Sequence, residues 1–315
     1  MNNLIVYNAK EKNNELLQSD LFQNLLKDFE SFLDVAPLTV KSYKSGVKRF
    51  LAFMAENGIK NPTHETVINF KKFLLDEGRK TTTIALYLSS IKRFFAWCFK
   101  SGLYSDIARD VKAPKIAKGH KKDYFAGSQV KAILKSVDKS SREGVRNYAL
   151  IALMTSCGLR TIEISRAKIE DLRTVGGVPV LYVQGKGRTE KADFVKIPEQ
   201  VENAIREYLK LRGKIDTTEA LFTSESKRNR GQSLTTRTIS GIAKSAMKEA
   251  GFNSSRLTAH SLRHTAVTLS LLAGQSLPDV QAFARHSSIN TTMIYNHAVN
   301  RIKSECENLI ANEIF

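Results

Sequence analysis

Apolar residues recur at helical spacing through the first third of this chain. From Asp20 to Leu33 they fall at Leu21, Leu25, Phe29, Phe32 and Leu33, which predicts a helix that Pro37 breaks. Thr39 can cap a second helix running to about Asn57, with Gly58 as its stop signal. Val40, Tyr43, Val47, Phe50, Leu51 and Met54 form its core stripe, and Lys41, Lys44, Lys48 and Arg49 lie on the other face. A third helix fits Glu65 to Glu77, closed by Gly78, and a fourth fits Thr81 to Lys100, closed by Gly102. Four helices with short connections make a small bundle. Residues 1–19 are polar and weakly patterned, a flexible lead to it or a first short helix.

The pattern lapses between Ala113 and Lys122, a basic stretch with Pro114 and Gly119 that reads as a linker. Helical spacing returns over Ser128–Ser136, Gly144–Cys157 and Thr161–Ala167. It then gives way to two strand-like runs, Pro179–Val183 and Ala192–Ile197, around a turn at Gln184–Glu190. Helices fit again at Glu199–Arg212, Thr235–Ala250, Ser261–Ala273, Pro278–Ala284, Ile289–Tyr295 and Asn300–Asn312. The expected fold is mainly α with a small antiparallel β-sheet. Its domains are a helical bundle over 1–112, a linker over 113–122 and a larger domain over 123–315.

Charge adds a partner to this picture. Lys and Arg number 49 against 31 acids, a net +18, and the excess is spread over both domains. Such an excess suits a polyanion, with salt-dependent binding. No apolar run reaches the ~18 residues that would span a bilayer, and the amino terminus lacks the charged start and long apolar core of a signal peptide. Three cysteines, Cys98, Cys157 and Cys306, are odd in number and far apart, so they frame neither zinc nor a disulfide scaffold. A cytoplasmic protein without metal or cofactor is expected. Gly185-Lys186-Gly187-Arg188-Thr189 lacks the spacing of a phosphate-binding loop.

The candidate chemistry lies in the second domain. Thr258-Ala259-His260-Ser261-Leu262-Arg263-His264-Thr265 is followed by Arg285-His286 and then Tyr295. Upstream, Cys157-Gly158-Leu159-Arg160 adds a second arginine, Glu163 follows one turn later, and Lys186 sits at the tip of the glycine turn. Two arginines, two histidines and a lysine can surround a phosphodiester, and planar guanidinium forks suit its oxygens. A tyrosine can attack it.

This array resembles the active site of the tyrosine recombinases, the phage-integrase family. The strongest signal is His260-Ser-Leu-Arg263-His-Thr followed by His286 and Tyr295. Thr39–Tyr43 and Thr81–Ser90 more weakly resemble the family's core-binding domain. The resemblance implies a core-binding domain over 1–112 and a catalytic domain over 123–315, together forming a clamp on duplex DNA. It makes Tyr295 the nucleophile and places Arg160 and Arg263 on the non-bridging oxygens. His260 exchanges protons near the nucleophile, His286 donates to a phosphate oxygen, and Lys186 is the general acid for the departing 5′-oxygen. Lys191 and Arg188 are rival basic groups beside it. Glu163 would support the arginines from behind, and His264 reads as structural. The bond energy stays in a 3′-phosphotyrosine, so neither ATP nor metal is implied.

The resemblance also implies a specific recombination site in double-stranded DNA, a Holliday junction, and a homotetramer on two sites assembled from free monomers. The tail, with Ile302, Cys306, Leu309, Ile310 and Ile314 on one side, would dock on the next subunit or close its own domain. Candidate DNA contacts are Lys41, Lys44, Thr82, Lys92, Arg228, Arg230, Arg237 and Lys244. One departure stands out: Arg285 occupies the place before the second histidine where the family usually has glycine. It puts the local backbone in question and could add a phosphate contact. A type IB topoisomerase-like enzyme would use the same residues, and a non-catalytic regulator could keep the scaffold. An RNA-processing phosphodiesterase has no motif to support it.

Overall fold

The computed structural model describes residues 20–116, 123–185, 188 and 190–315. The lead at 1–19, most of the linker, and the Lys186 turn tip lie outside the described residues. The chain divides into two compact units, Met1–Lys118 and Gly119–Phe315.

In the first unit, helices α1 (Asp20–Phe32), α2 (Pro37–Glu56), α3 (His64–Asp76) and α4 (Thr81–Lys100) form the bundle. Pro37 does not simply end α1. It opens α2, because a missing N–H costs nothing in a helix's first turn; Thr39 is already inside the helix and does not cap it. The core is aromatic: Phe29, Phe50, Phe70, Phe94, Phe95 and Trp97 are buried, with ring centroids 5.2–5.9 Å apart where they touch. α2 crosses α4 at Gly46, where a Cβ would stand 2.5 Å from Ser90 Oγ and 3.3 Å from Tyr87 Cα. Only glycine permits that approach.

The second unit is built on α6 (Arg142–Cys157), buried along most of its length between α8 (Glu199–Arg212) and α10 (Ala259–Leu272). α5 (Gly127–Ser136), α7 (Thr161–Arg166) and α9 (Thr236–Glu249) complete this layer. The sheet has three strands, not two: β1 (Leu172–Val175), β2 (Val178–Val183) and β3 (Asp193–Lys196), antiparallel in that order. Leu172 pairs with Leu181 and Leu181 with Val195, so Leu181, Val183, Val195 and Ile197 face the core. Gly176 and Gly177, both at positive φ, make the β1–β2 turn.

A satellite core joins α10 to α11 (Leu277–Ala284) and α12 (Ile289–Lys303) through Val267, Leu271, Val280, Ala284, Tyr295 and Val299. α12 is one helix through Lys303, whereas the sequence divides it after Tyr295. Tyr295 and Val299 stand one turn apart on its buried face. α13 (Cys306–Ile314) follows and buries none of its side chains. Among the described residues, no helix is long and apolar enough to cross a membrane.

Candidate active site

Arg160 owes its place to a glycine. α6 ends at Gly158, whose φ of 60° would strain any other residue, and an added Cβ would press on the Phe283 ring at 3.1 Å. The chain turns there and starts α7 at Thr161, with Arg160 as its N-cap. Glu163, in the first turn, accepts from the Arg160 N–H at 2.7 Å and from Arg160 Nη1 at 2.7 Å. It is fully buried. Burial raises its pKa, but the charge and hydrogen bond of Arg285 and the contacts of Arg160 outweigh this and hold it below the usual range.

His260 and Arg263 come from the first two turns of α10. His260 is exposed; Arg263 is 1% exposed, and its guanidinium donates to the carbonyls of Gly158 and Ala284. Burial, with Arg160 and Arg285 nearby, brings its pKa down to about 9, so it stays cationic at neutral pH. Arg160, His260 and Arg263 line one cleft of about 640 Å³.

Tyr295 does not line that cleft. It is 2% exposed, with its ring 4.5 Å from His264 and 5.9 Å from His286. Burial raises the phenol pKa, against partial relief from Arg263 and Arg160. His264 is buried, stacked on Tyr124 and tilted by 50° against Tyr295, consistent with its structural reading. His286 shares a hydrogen bond between Nδ1 and Thr292 Oγ1 at 2.9 Å. Burial and then the charges of Arg263, Arg160, Arg285 and His260 push its pKa down to about 4. It is therefore a neutral imidazole at neutral pH. If the Thr292 hydroxyl donates to Nδ1, Nε2 carries the proton.

Arg285 answers the question its sequence position raised. Its φ of 52° is the only positive value outside glycine among the described residues, and it terminates α11 in the left-handed region. Its side chain turns away from solvent. Arg285 is 5% exposed in its side chain and points inward, donating to Glu163 Oε2 at 2.8 Å, Phe283 O at 2.7 Å and Gly158 O at 3.2 Å.

The remaining candidates divide. Lys186 lies outside the described residues. Its rivals are engaged: Lys191 Nζ reaches the buried Asp171 at 2.6 Å, and Arg188 reaches Asp193 at 2.8 Å. Lys41, Thr82, Arg228, Arg230 and Arg237 are exposed, and Lys92 is half-buried. Lys44 is paired with Glu30 at 2.5 Å. Lys244 is not a free surface lysine. Its ammonium donates to Ser254 O and Leu257 O at 2.6 and 3.2 Å, tying α9 to the loop before α10. Thr292, fully buried against His286, is a site neighbour that the sequence pattern did not single out. Among the described residues, no group of three or more His, Cys, Asp or Glu could hold a metal ion.

Residues 123–301 match the phage integrase family, and residues 23–102 match the phage integrase N-terminal SAM-like domain. Tyrosine recombinase XerD of Listeria monocytogenes serotype 4b (strain F2365) is 28% identical over 288 residues, covering 87% of this chain and 94% of its own length. Tyrosine recombinase XerD of Proteus mirabilis is 32% identical over 249 residues, 76% of each chain. The fold is similar to that of the XerH site-specific recombinase in a post-cleavage complex with palindromic difH substrate. The TM-score is 0.74 at 22% identity, over 95% of this chain and 87% of that one. A lambda integrase tetramer bound to a Holliday junction gives 0.67 at 17%, over 91% and 81%. With its match to the family running through the satellite core that holds Tyr295, this chain belongs to the phage integrase family and is a tyrosine recombinase.

Proposed function

We propose that this chain recombines DNA at a specific site by the following division of labour. The bundle, 1–112, holds duplex DNA, residues 113–122 link it to the rest, and 123–315 carry the chemistry. Arg160 and Arg263 neutralise the scissile phosphate and the charge that grows on it in the transition state. Tyr295 attacks phosphorus, His260 takes up the phenol proton, and neutral His286 donates from Nε2 to a phosphate oxygen. Lys186 protonates the departing 5′-oxygen. Because the Tyr295 hydroxyl starts buried, attack follows a shift of α12 when DNA fills the cleft. The 3′-phosphotyrosyl bond stores the energy for rejoining, through a Holliday junction on a homotetramer. Free copies are monomers that act in the cytoplasm, on the nucleoid. Glu163 supports the arginines, and Lys41, Thr82, Lys92, Arg228, Arg230 and Arg237 contact DNA.

The observation that carries this reading is the convergence of Arg160, His260 and Arg263 on one cleft, with the Tyr295 ring 5.9 Å from His286. The relatives are named recombinases, which does not favour a topoisomerase or a non-catalytic regulator. Covalent capture in cells tests it. DNA linked to the protein after denaturation should be recovered at discrete sites, and Tyr295→Phe should recover none while still binding DNA. Adducts that persist in the phenylalanine variant would remove Tyr295 as nucleophile. Adducts spread without site preference would favour the topoisomerase.

A further inference from the structure

Three guanidiniums meet the carboxyl end of α11, and each takes a different carbonyl. Arg285 donates to Phe283 O at 2.7 Å, Arg263 donates to Ala284 O, and Arg160 Nη2 donates to Arg285 O at 3.2 Å. Helix ends leave such carbonyls without intrahelical partners, and cations suit the negative end of the dipole. The same three cations surround Glu163, at 2.7 Å for Arg160, 2.8 Å for Arg285 and 4.0 Å for Arg263. Arg285 also shares Gly158 O with Arg263.

We infer that Arg285 is a positioning residue that fixes Arg160 for the scissile phosphate through a closed ring: Arg285 guanidinium to Glu163, Glu163 to the Arg160 guanidinium, and Arg160 back to the Arg285 carbonyl. The inference rests on the proposed role of Arg160 and goes beyond it. Both parts of Arg285 take part. The left-handed backbone aims its carbonyl at Arg160, which glycine would do as well. The side chain does what glycine cannot: it occupies one side of Glu163, so the carboxylate presents a fixed oxygen to Arg160. Without Arg285, this fully buried carboxylate would keep Arg160 as its one close partner, with Arg263 at 4.0 Å, and would draw Arg160 inward. Arg160 Nη1 holds Oε1 and Arg285 Nη2 holds Oε2, with Arg285 Nε also 3.4 Å from Oε1, and Arg160 stays 26% exposed in its side chain, at the cleft wall. The extra cation beside Glu163 thus compensates for the strain of a non-glycine residue at φ 52°.

The test measures single-turnover cleavage of a nicked duplex that carries the captured site, with DNA affinity measured in parallel. Arg285→Gly keeps the backbone geometry and removes the guanidinium. It should bind DNA as the unsubstituted protein does and cleave more slowly, by as much as about a hundredfold, since small misplacements of a catalytic group have effects of that order. The deficit should shrink on a duplex whose scissile phosphate is a methylphosphonate, which lacks the charge that Arg160 neutralises. A merely structural role would give the same deficit on both substrates, and that result would overturn the inference, as would cleavage of normal DNA at an unchanged rate. Arg285→Lys keeps a cation without the fork. If the glycine variant does not fold, the lysine variant is judged by the same two substrates and overturned by the same two results. An unsubstituted protein that forms no adduct would instead sink the proposed function itself, an outcome distinguishable from failure of the Arg285 ring alone.

Discussion

His286 is held neutral by the residues around it. Its pKa is brought to about 4 by burial and by Arg263, Arg160, Arg285 and His260, while an unfolded chain holds it near 6.5. Below about pH 6.5 the unfolded chain therefore takes a proton that the folded one refuses. Stability should fall as pH drops from about 6.5 to about 4 and should lose nothing further from this group below that. Above 6.5 the residue contributes no slope. Melting temperatures across this window should fall less steeply for His286→Gln than for the unsubstituted chain; parallel curves would show that His286 is not held neutral. At this scale the sequence order brought out Arg160, His260 and Arg263, which the structure gathers on one cleft, together with His286 and Tyr295, which do not line it. Arg285 was legible as an anomaly only. A one-dimensional pattern shows that an arginine stands where glycine is usual, but not that a left-handed backbone turns its side chain away from solvent and onto Glu163.

At the scale of elements, the helices of the bundle and of the second unit were legible to within a few residues, because their apolar stripes are regular. β1 was missed because Leu172-Arg-Thr-Val175 is exposed along three of its four residues and so carries no alternation. The division of α12 had a similar cause: Asn296, His297 and Asn300 hide the Tyr295–Val299 pair. Two predictions belong here. Gly46→Ala gains roughly 1 kcal/mol of helix propensity but overpacks the α2–α4 crossing, which costs about 1–3 kcal/mol. It should lower stability, and Ser90→Gly in the same chain should recover part of the loss. Additive effects in chemical denaturation would show that the crossing does not couple them. The second concerns the two lysines near the β2–β3 turn. Asp171 is 2% exposed and takes Lys191 at 2.6 Å, so Lys191→Met should cost stability. The loss is near the low end of about 1.5–3 kcal/mol, since the lysine is partly exposed. Cleavage should survive in it. Lys186→Ala should do the reverse: fold normally, cleave slowly, and be rescued by a 5′-bridging phosphorothioate, whose sulfur leaves without a proton. A Lys191→Met variant that is catalytically dead and rescued by sulfur would transfer the acid role to it.

At the scale of the whole molecule, the charge of +18 predicts strong salt dependence of DNA binding, and the tail bears on assembly. α13 buries nothing, with Leu309, Ile310 and Ile314 exposed at 63%, 59% and 67%. Three aliphatic side chains, at roughly 1.5–3 kcal/mol each when buried, supply about 4.5–9 kcal/mol, which over most of the range does not cover the about 4–15 kcal/mol that joining two free proteins costs. The same contact suffices once DNA holds two copies side by side, because the docking step then occurs at a high effective concentration. A tail of this size therefore fits a protein that is monomeric when free and assembled on its sites. Deleting residues 304–315 removes α13 and leaves α12, with Tyr295 and Val299, intact. The truncated chain should melt at an unchanged temperature and remain a monomer in solution. Recombination between two sites should fall far more than covalent cleavage at one site, unless docking also moves the neighbour's Tyr295, in which case both fall together. Full-rate recombination by the truncated chain would rule out docking between copies. A truncated chain that melts early would instead mean that the tail closes its own domain.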